Sequence, residues 1–132
     1  MSTTTRRLWR RTASIAVGGL LAAGALAATA PSAAADPFTC PPDVGSDGAS
    51  KCATVIGIDP GSYLTVRSGP GTGYDDIGRR SPGQIVEVEC WTYGTPVNGY
   101  SIWTRLYSGS RLSYVSDYYL STGRVQDHLP RC

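Results

Sequence analysis

The chain has 132 residues with 12 Lys or Arg and 10 Asp or Glu, which gives a formal net charge of +2. Four of the arginines, Arg6, Arg7, Arg10 and Arg11, lie in the first 11 residues, and the rest of the chain holds 8 basic and 10 acidic residues, a net charge of −2. Because the basic excess is confined to the start, the charge gives no reason to expect nucleic acid as a partner.

Residues 1–35 have the pattern of a secretory signal peptide. The basic start is followed by an apolar run from about Ala13 to Ala28, and Ala33-Ala34-Ala35 fits a small-residue cleavage site before Asp36. The run is rich in Ala and Gly and only moderately apolar, so we expect no permanent membrane anchor. The predicted location is therefore secreted, either extracellular or associated with the cell wall.

The remaining 97 or so residues are enough for one domain with a small core. All four cysteines lie in this part, and an even number in an exported chain predicts two disulfides. Three connectivities are possible. We favour Cys40–Cys52, which closes a short Pro/Gly/Asp loop, together with Cys90–Cys132, which ties the last residue to a central strand. A zinc site is disfavoured because there is no Cys-x-x-Cys pair and one histidine, His128, so neither a metal nor a cofactor is expected.

Short strands separated by turn residues dominate the predicted elements. An extended Pro- and Gly-rich segment, 36–52, leads into strands at 53–58 and 64–68, then a Gly/Pro loop at 69–76 and one apolar residue, Ile77. The clearest strand is 84–91, where Val86, Val88 and Cys90 share one face, so Cys90 is expected to be buried.

The second half continues the same pattern. We predict a long hairpin loop at 92–101, strands at 102–106 and 112–115, a single 3-10 turn at 116–120 capped by Ser116, and a tail from 121. Five or six short strands without an amphipathic helix predict an all-β fold, a small antiparallel barrel or sandwich.

Four blocks of residues, in order, resemble the bacterial SH3 (SH3b) domain family. Leu64-Thr65-Val66-Arg67-Ser68-Gly69-Pro70 resembles its "L-N-V-R-S-G-P" motif, with Thr65 where Asn is usual. Ile77-Gly78 followed by Ser81 to Val88 resembles its "I-G-x-L-x-K-G-x-x-V-x-V" block, and Trp103-Thr104-Arg105-Leu106 its "W-x-K-V". Tyr114-Val115-Ser116 with Tyr119-Leu120 resembles its closing "G-Y-V-S…Y-L".

The resemblance implies an SH3-like antiparallel barrel of five to six strands over residues 53–121. The N-terminal segment 36–52 would carry a local disulfide loop, and the tail 122–132 would be tied back by a disulfide. The small secreted single-domain subgroup with a Pro-Arg-Cys-like tail is the most similar, and it supports the Cys90–Cys132 pairing. Modules of this family are commonly attached to cell-wall enzymes and direct those enzymes to the wall.

The residues offer little support for catalysis. His128 is the one candidate base, and although a Ser–His–Asp set with Asp117 or Asp127 can be drawn, no nucleophile motif accompanies it. Asp75 and Asp76 are adjacent on a loop and would point apart, unlike the paired carboxylates of a glycosidase. We therefore expect no enzyme, with a small cell-wall hydrolase that depends on His128 as a remote alternative.

Binding is better supported, because the sequence has more aromatic residues than so small a core can bury. The resemblance places a ligand groove between the loop after the second strand, the next hairpin loop and the 3-10 turn. The ligand-binding residues it implies are Tyr74, Asp75, Tyr93, Tyr100, Trp103, Tyr118 and Tyr119. The alternative is that Trp103, Tyr114 and Tyr119 belong to the core and the others cap barrel edges.

Three arginines bear on the choice of ligand. Arg67, Arg79 and Arg80 are suited to the carboxylates of wall peptides, although charged residues also protect exposed strand edges. The function expected from the sequence is that of a secreted, monomeric, non-catalytic module that binds cell-wall peptidoglycan or its peptides. The alternative is a protein-binding module, an inhibitor or accessory of a secreted enzyme.

Overall fold

The computed structural model describes residues 36–132, so the predicted signal peptide, residues 1–35, lies outside the described residues. The described chain is all-β, with two short 3-10 helices and no α-helix. Its strands are β1 (Phe38–Thr39), β2 (Lys51–Thr54), β3 (Leu64–Arg67), β4 (Asp76–Arg80), β5 (Ile85–Val97), β6 (Tyr100–Leu106) and β7 (Tyr114–Ser116). The 3-10 helices are η1 (Asp117–Tyr119) and η2 (Val125–Asp127).

All seven strands form one antiparallel sheet in the order β1-β2-β5-β6-β7-β3-β4. The order has two edges, β1 and β4, and does not close on itself. The chain after β2 nevertheless meets the chain after β7, since Val55 bridges Leu120 and the Ser121 amide donates to the Thr54 carbonyl at 2.9 Å. The prediction of an all-β antiparallel fold is confirmed, with one short strand, β1, added within the segment 36–52 that we expected to be extended.

The core lies where alternate residues of the strands meet. Leu64 and Val66 of β3, Val86 and Val88 of β5, and Ile102 and Leu106 of β6 are buried together. The two residues of each pair are two or four positions apart in the chain, because side chains of a strand alternate between its two faces. The tail also contributes, since Val125 and Leu129 are buried in the same cluster.

Both predicted disulfides, Cys40–Cys52 and Cys90–Cys132, are present, and no cysteine of the described chain is free. Cys90 is buried, as its place on the valine face predicted. Two disulfides are consistent with an extracellular protein. Among residues 36–132, no helix is long and apolar enough to cross a membrane.

The prediction of a long loop at 92–101 is wrong. β5 continues to Val97, and the chain reverses through Asn98-Gly99 alone, both with positive φ (49° and 79°). An Asn-Gly pair with positive φ at both residues forms the tight turn whose twist matches that of a hairpin. The register shifts between Tyr93 and Val97, an irregularity that accommodates Gly94 and Pro96 within the strand.

Other element boundaries moved by a few residues. The strand predicted at 53–58 occupies Lys51–Thr54, and the strand predicted at 112–115 is Tyr114–Ser116, with Leu112 exposed. Ile77 and Gly78 lie within a five-residue strand, β4. The 3-10 turn is present, but the Ser116 side chain makes no capping hydrogen bond to it.

Candidate functional site

A cleft of about 210 Å³ opens where β3, the loop after it, the end of β5 and η1 come together. We call it the Trp103 cleft. Its lining includes the side chains of Tyr63, Arg67, Thr72, Trp103, Ser116 and Tyr119. Leu64, Ile58 and Val97 give it further apolar lining.

The loop from Gly69 to Tyr74 forms one wall of the cleft because it is packed tightly against its neighbours. Gly69 is buried under the Tyr74 ring, and a Cβ there would come within 2.7 Å of Tyr74 Cγ. The Arg67 guanidinium donates to the Tyr74 carbonyl at 3.0 Å, and the Thr72 amide donates to the Thr95 hydroxyl at 3.3 Å. These contacts hold Thr72 at the cleft and leave the Tyr74 ring half exposed.

Trp103 forms the floor. Its side chain is 2% exposed, and its indole Nε1–H donates to the Thr95 carbonyl at 2.8 Å. Gly94 lies directly beside it, where a Cβ would be 2.6 Å from Trp103 Cδ1 and closer still to the Pro70 carbonyl. Trp103 is therefore a packed residue whose outer surface lines the cleft.

The strand register places Ser116 beside this floor. Trp103 of β6 pairs with Ser116 of β7, so the two side chains are on the same face of the sheet. Ser116 is 3% exposed, and its hydroxyl oxygen has no hydrogen-bond partner among residues 36–132. Buried hydroxyls in proteins nearly always have a partner, so this one is a feature that requires an explanation.

Arg67 supplies the charge of the site. It is the one charged side chain lining the cleft, and no carboxylate of the described residues lies within 4 Å of it. A guanidinium presents five N–H donors, and the bond to the Tyr74 carbonyl uses a single nitrogen, Nη1. The electrostatic character of the cleft therefore favours an anion.

The cleft brings together only part of the set that the sequence predicted. Trp103 and Tyr119 line it, whereas Tyr74, at the end of the loop wall, and Asp75, the residue after it, do not. Tyr118 stacks edge-to-face on Tyr119, with ring centroids 4.9 Å apart, and it adjoins the cleft from outside. Tyr63 and Ser116 line the cleft but were not predicted to bind a ligand, and Arg67, which the sequence suggested for wall-peptide carboxylates, lines it as well.

Tyr93 lies elsewhere. Its ring meets Trp91 edge-to-face at 5.3 Å, and the Arg131 guanidinium lies 5.2 Å from its centroid. Tyr93 is placed there because β5 runs on as a strand, so that residues 91 and 93 share a face instead of entering a loop. We call Trp91, Tyr93 and Arg131 the tail platform.

Tyr100 belongs to a buried polar network behind the cleft. Its hydroxyl donates to the Asp117 carboxylate at 3.3 Å, and the Thr104 and Thr122 hydroxyls donate to the same carboxylate at 2.7 and 2.8 Å. Burial raises the pKa of Asp117 above its ordinary value, against the opposing effect of these hydrogen bonds. Burial, followed by the Asp117 charge, raises the pKa of Tyr100 to about 12.

The three residues considered for catalysis, His128, Asp117 and Asp127, each contact other side chains, and the Asp127 carboxylate lies 3.4 Å from Arg124. The His128 ring contacts the Asp36 carboxylate at 3.0 Å, while the Asp117 carboxylate is bonded to Tyr100, Thr104 and Thr122. Within residues 36–132, no group of three or more His, Cys, Asp or Glu side chains is placed to hold a metal ion.

Comparison with known proteins gives a limited result. No family model matches the chain. A Bacillus subtilis (strain 168) protein described as "Uncharacterized protein YraJ" is 35% identical over 77 residues, which are 52% of this chain. The matched region spans 65% of that protein, less than two thirds of its length.

Proposed function

We propose that this protein is a secreted, non-catalytic module of the SH3b type whose Trp103 cleft binds cell-wall peptidoglycan or its peptides. The proposed fold is a partly open SH3-like barrel over residues 53–121, extended by β1 and by the disulfide-linked tail. The two disulfides are in keeping with export to an oxidising environment.

The positions of the four sequence blocks support the family assignment. The first block covers β3 and the tight loop after it, and the second covers the β4–β5 region. The third lies in β6, and the fourth covers β7 and η1. The blocks therefore fall on β3 to β7, strands that follow one another in the chain and belong to one sheet.

The observation that carries the proposal is the composition of the Trp103 cleft. It has an aromatic floor, an apolar lining and a single cation, Arg67, and none of its lining residues is acidic. Binding sites for small ligands combine an apolar lining with a few polar groups that orient the ligand. Short peptides with aliphatic side chains and carboxylates match this combination.

Co-sedimentation with purified cell-wall sacculi tests the proposal. We expect the exported protein to pellet with sacculi and Tyr63→Ala to pellet several-fold less, because this tyrosine lines the cleft and is 43% exposed. Tyr107→Ala is the matched control, since Tyr107 is 45% exposed and does not line the cleft. Wild-type protein that stays in the supernatant would refute wall binding.

A second candidate function, binding to a secreted protein, is favoured by the tail platform. Tyr93 is 54% exposed, meets Trp91 edge-to-face and lies under the Arg131 guanidinium, and aromatic and Arg side chains are enriched in protein interfaces. Affinity capture from culture supernatant tests it. A stoichiometric partner retained by Tyr63→Ala and lost with Tyr93→Ala would support this function over wall binding.

A further inference from the structure

Ser116 has the features of a group reserved for a ligand. Its hydroxyl is buried without a partner in residues 36–132, in a cleft whose lining is mostly aromatic and aliphatic. Burying an unsatisfied hydroxyl is unfavourable, whereas alanine would fit the same space without that penalty. Rotation about χ1 of a serine moves its hydroxyl between staggered positions, so it can turn toward a group that enters the cleft.

Arg67 is the second such group, and the sheet register places it near the first. Arg67 of β3 pairs with Tyr114 of β7, and Ser116 lies two residues further along β7 on the same face. Residues in this diagonal relation on neighbouring strands are roughly 7–8 Å apart, within reach of a long side chain. A single acceptor group of a ligand in the cleft can therefore accept hydrogen bonds from both Arg67 and Ser116.

A carboxylate fits these donors better than the other groups of a peptide or glycan. A guanidinium pairs with a planar carboxylate through two parallel N–H bonds, and a serine hydroxyl satisfies a remaining oxygen lone pair. A sugar hydroxyl or a peptide carbonyl would leave the Arg67 charge without a counter-ion. The apolar side chains around the cleft then match the aliphatic part of the residue that carries the carboxylate.

We propose that the Trp103 cleft binds the free carboxylate end of a short peptide, with Arg67 as its ion-pair partner and Ser116 as its hydroxyl donor. The proposal rests on the cleft being the binding site of the proposed function, and it specifies which part of a wall peptide enters. Trp103 and Tyr119 would contact the side chain of the terminal residue.

Calorimetric titration with N-acetyl-alanyl-alanine and with the same dipeptide amidated at its C-terminus tests the carboxylate. We expect the free acid to bind about tenfold or more tightly than the amide, since a hydrogen bond to a charged group is lost with the amide. Affinity for the acid should fall as salt is added. Equal affinity for the two peptides, or no binding of the acid, would overturn the proposal.

Variants test the two donors separately. Ser116→Ala should weaken binding of the free acid several-fold while leaving thermal stability equal or higher, because it removes a buried unsatisfied group. Arg67→Gln should abolish the difference between acid and amide, and Arg67→Lys should restore part of it. Arg111→Gln, an exposed arginine outside the cleft, is the control and should bind as wild type. Ser116→Ala with wild-type affinity would remove Ser116 from the site.

The same variants separate this proposal from the wall-binding function. If wild type, Ser116→Ala and Arg67→Gln all pellet equally with sacculi, wall binding stands and the carboxylate site is refuted. If the free acid binds through Arg67 but wild type does not pellet with sacculi, the carboxylate site stands and peptidoglycan is the wrong source of the peptide.

Discussion

Among single side chains, Asp117 shows how a polar residue can order three segments of this protein. Its carboxylate accepts hydrogen bonds from Thr104 of β6, from Tyr100 at the start of the same strand and from Thr122 of the tail. All three donors are neutral, and no ion pair to Asp117 is present among residues 36–132. The network therefore stabilises the position of η1, and the pKa of Asp117 is raised because the effect of burial outweighs that of the hydrogen bonds.

Because its pKa is raised, Asp117 makes the free energy of unfolding depend on pH in the direction opposite to that of most aspartates. The folded state favours the protonated acid, so this contribution is full below the ordinary value of 3.8 and is lost as the pH rises through the folded pKa. In urea unfolding we expect the stability of wild type relative to Asp117→Asn to be higher at pH 3 than at pH 7. A relative stability that is instead higher at pH 7 would mean that the hydrogen bonds, and not burial, dominate.

Tyr100 is predicted to ionise at a higher pH than an ordinary tyrosine. With its pKa raised to about 12, its stabilising contribution is full below the ordinary value of 10.0 and is lost as the pH rises through about 12. The absorbance titration of wild type minus Tyr100→Phe should show one phenol with that late transition, and Asp117→Asn should move it toward 10.0. A difference titration centred near 10.0 in wild type, with circular dichroism confirming the folded state, would contradict this.

Of the residues that line the Trp103 cleft, the sequence predicted some and missed others for a physical reason. Trp103 and Tyr119 were predicted from their place in family-like blocks, and both line the cleft. Ser116 was predicted as a helix cap, but its hydroxyl makes no cap bond and instead lies at the cleft. Its role depends on cross-strand pairing with Trp103, which no local pattern encodes.

At the level of strands and loops, the contact between Gly94 of β5 and Pro70 joins two elements that build the cleft. The loop after β3 approaches β5 so closely that no side chain fits at residue 94. Glycine at this position is required by the close approach of another backbone, since its φ is not positive.

Gly94→Ala should therefore displace the loop and disturb the cleft. We expect a loss of about 1–3 kcal/mol in the free energy of unfolding, the usual cost of forcing extra volume into a packed site, together with a shift in the Trp103 indole resonance. Gly73→Ala is the control, because a Cβ there meets nothing within 4 Å. Equal stability of the two variants would show that the loop is not docked on β5.

In the hairpin of β5 and β6, the sequence pattern predicted the wrong type of element. Gly94, Pro96, Asn98 and Gly99 together predicted a long loop, yet only Asn98 and Gly99 form the turn. Gly94 serves close packing, and Pro96 falls where the register of β5 shifts. Turn-forming residues within a strand cannot be distinguished from a loop until their contacts are known. The alternation of Val86, Val88 and Cys90 was a reliable guide because it reports burial directly.

At the scale of the whole molecule, the Cys90–Cys132 disulfide links the core to a tail that itself contributes buried residues to the core. The tail buries Val125 and Leu129, and its Leu129 carbonyl accepts from the Trp91 indole at 3.1 Å. The tail was predicted only as a disulfide-linked end, because two buried residues four positions apart among polar ones are too few to predict the short helix η2.

Removing the two disulfides should have unequal effects. Closing a loop of 42 residues restricts the unfolded chain more than closing one of 12, about 4 against about 3 kcal/mol in the loop-entropy account. Cys90→Ala/Cys132→Ala should also release the tail and expose Trp91, so we expect it to unfold at lower urea than Cys40→Ala/Cys52→Ala. The reverse order would show that the N-terminal loop, and not the tail, holds the molecule together.

The central claim is that the Trp103 cleft is the binding site of a wall-peptide module. An NMR titration of the 15N-labelled exported protein with soluble peptide fragments released from purified sacculi tests it most directly. We predict chemical shift changes at the Trp103 indole and at the amides of Thr72, Ser116 and Tyr119, with Tyr93 and Arg131 unaffected. Changes confined to the tail platform, or no changes at saturating peptide, would contradict the account.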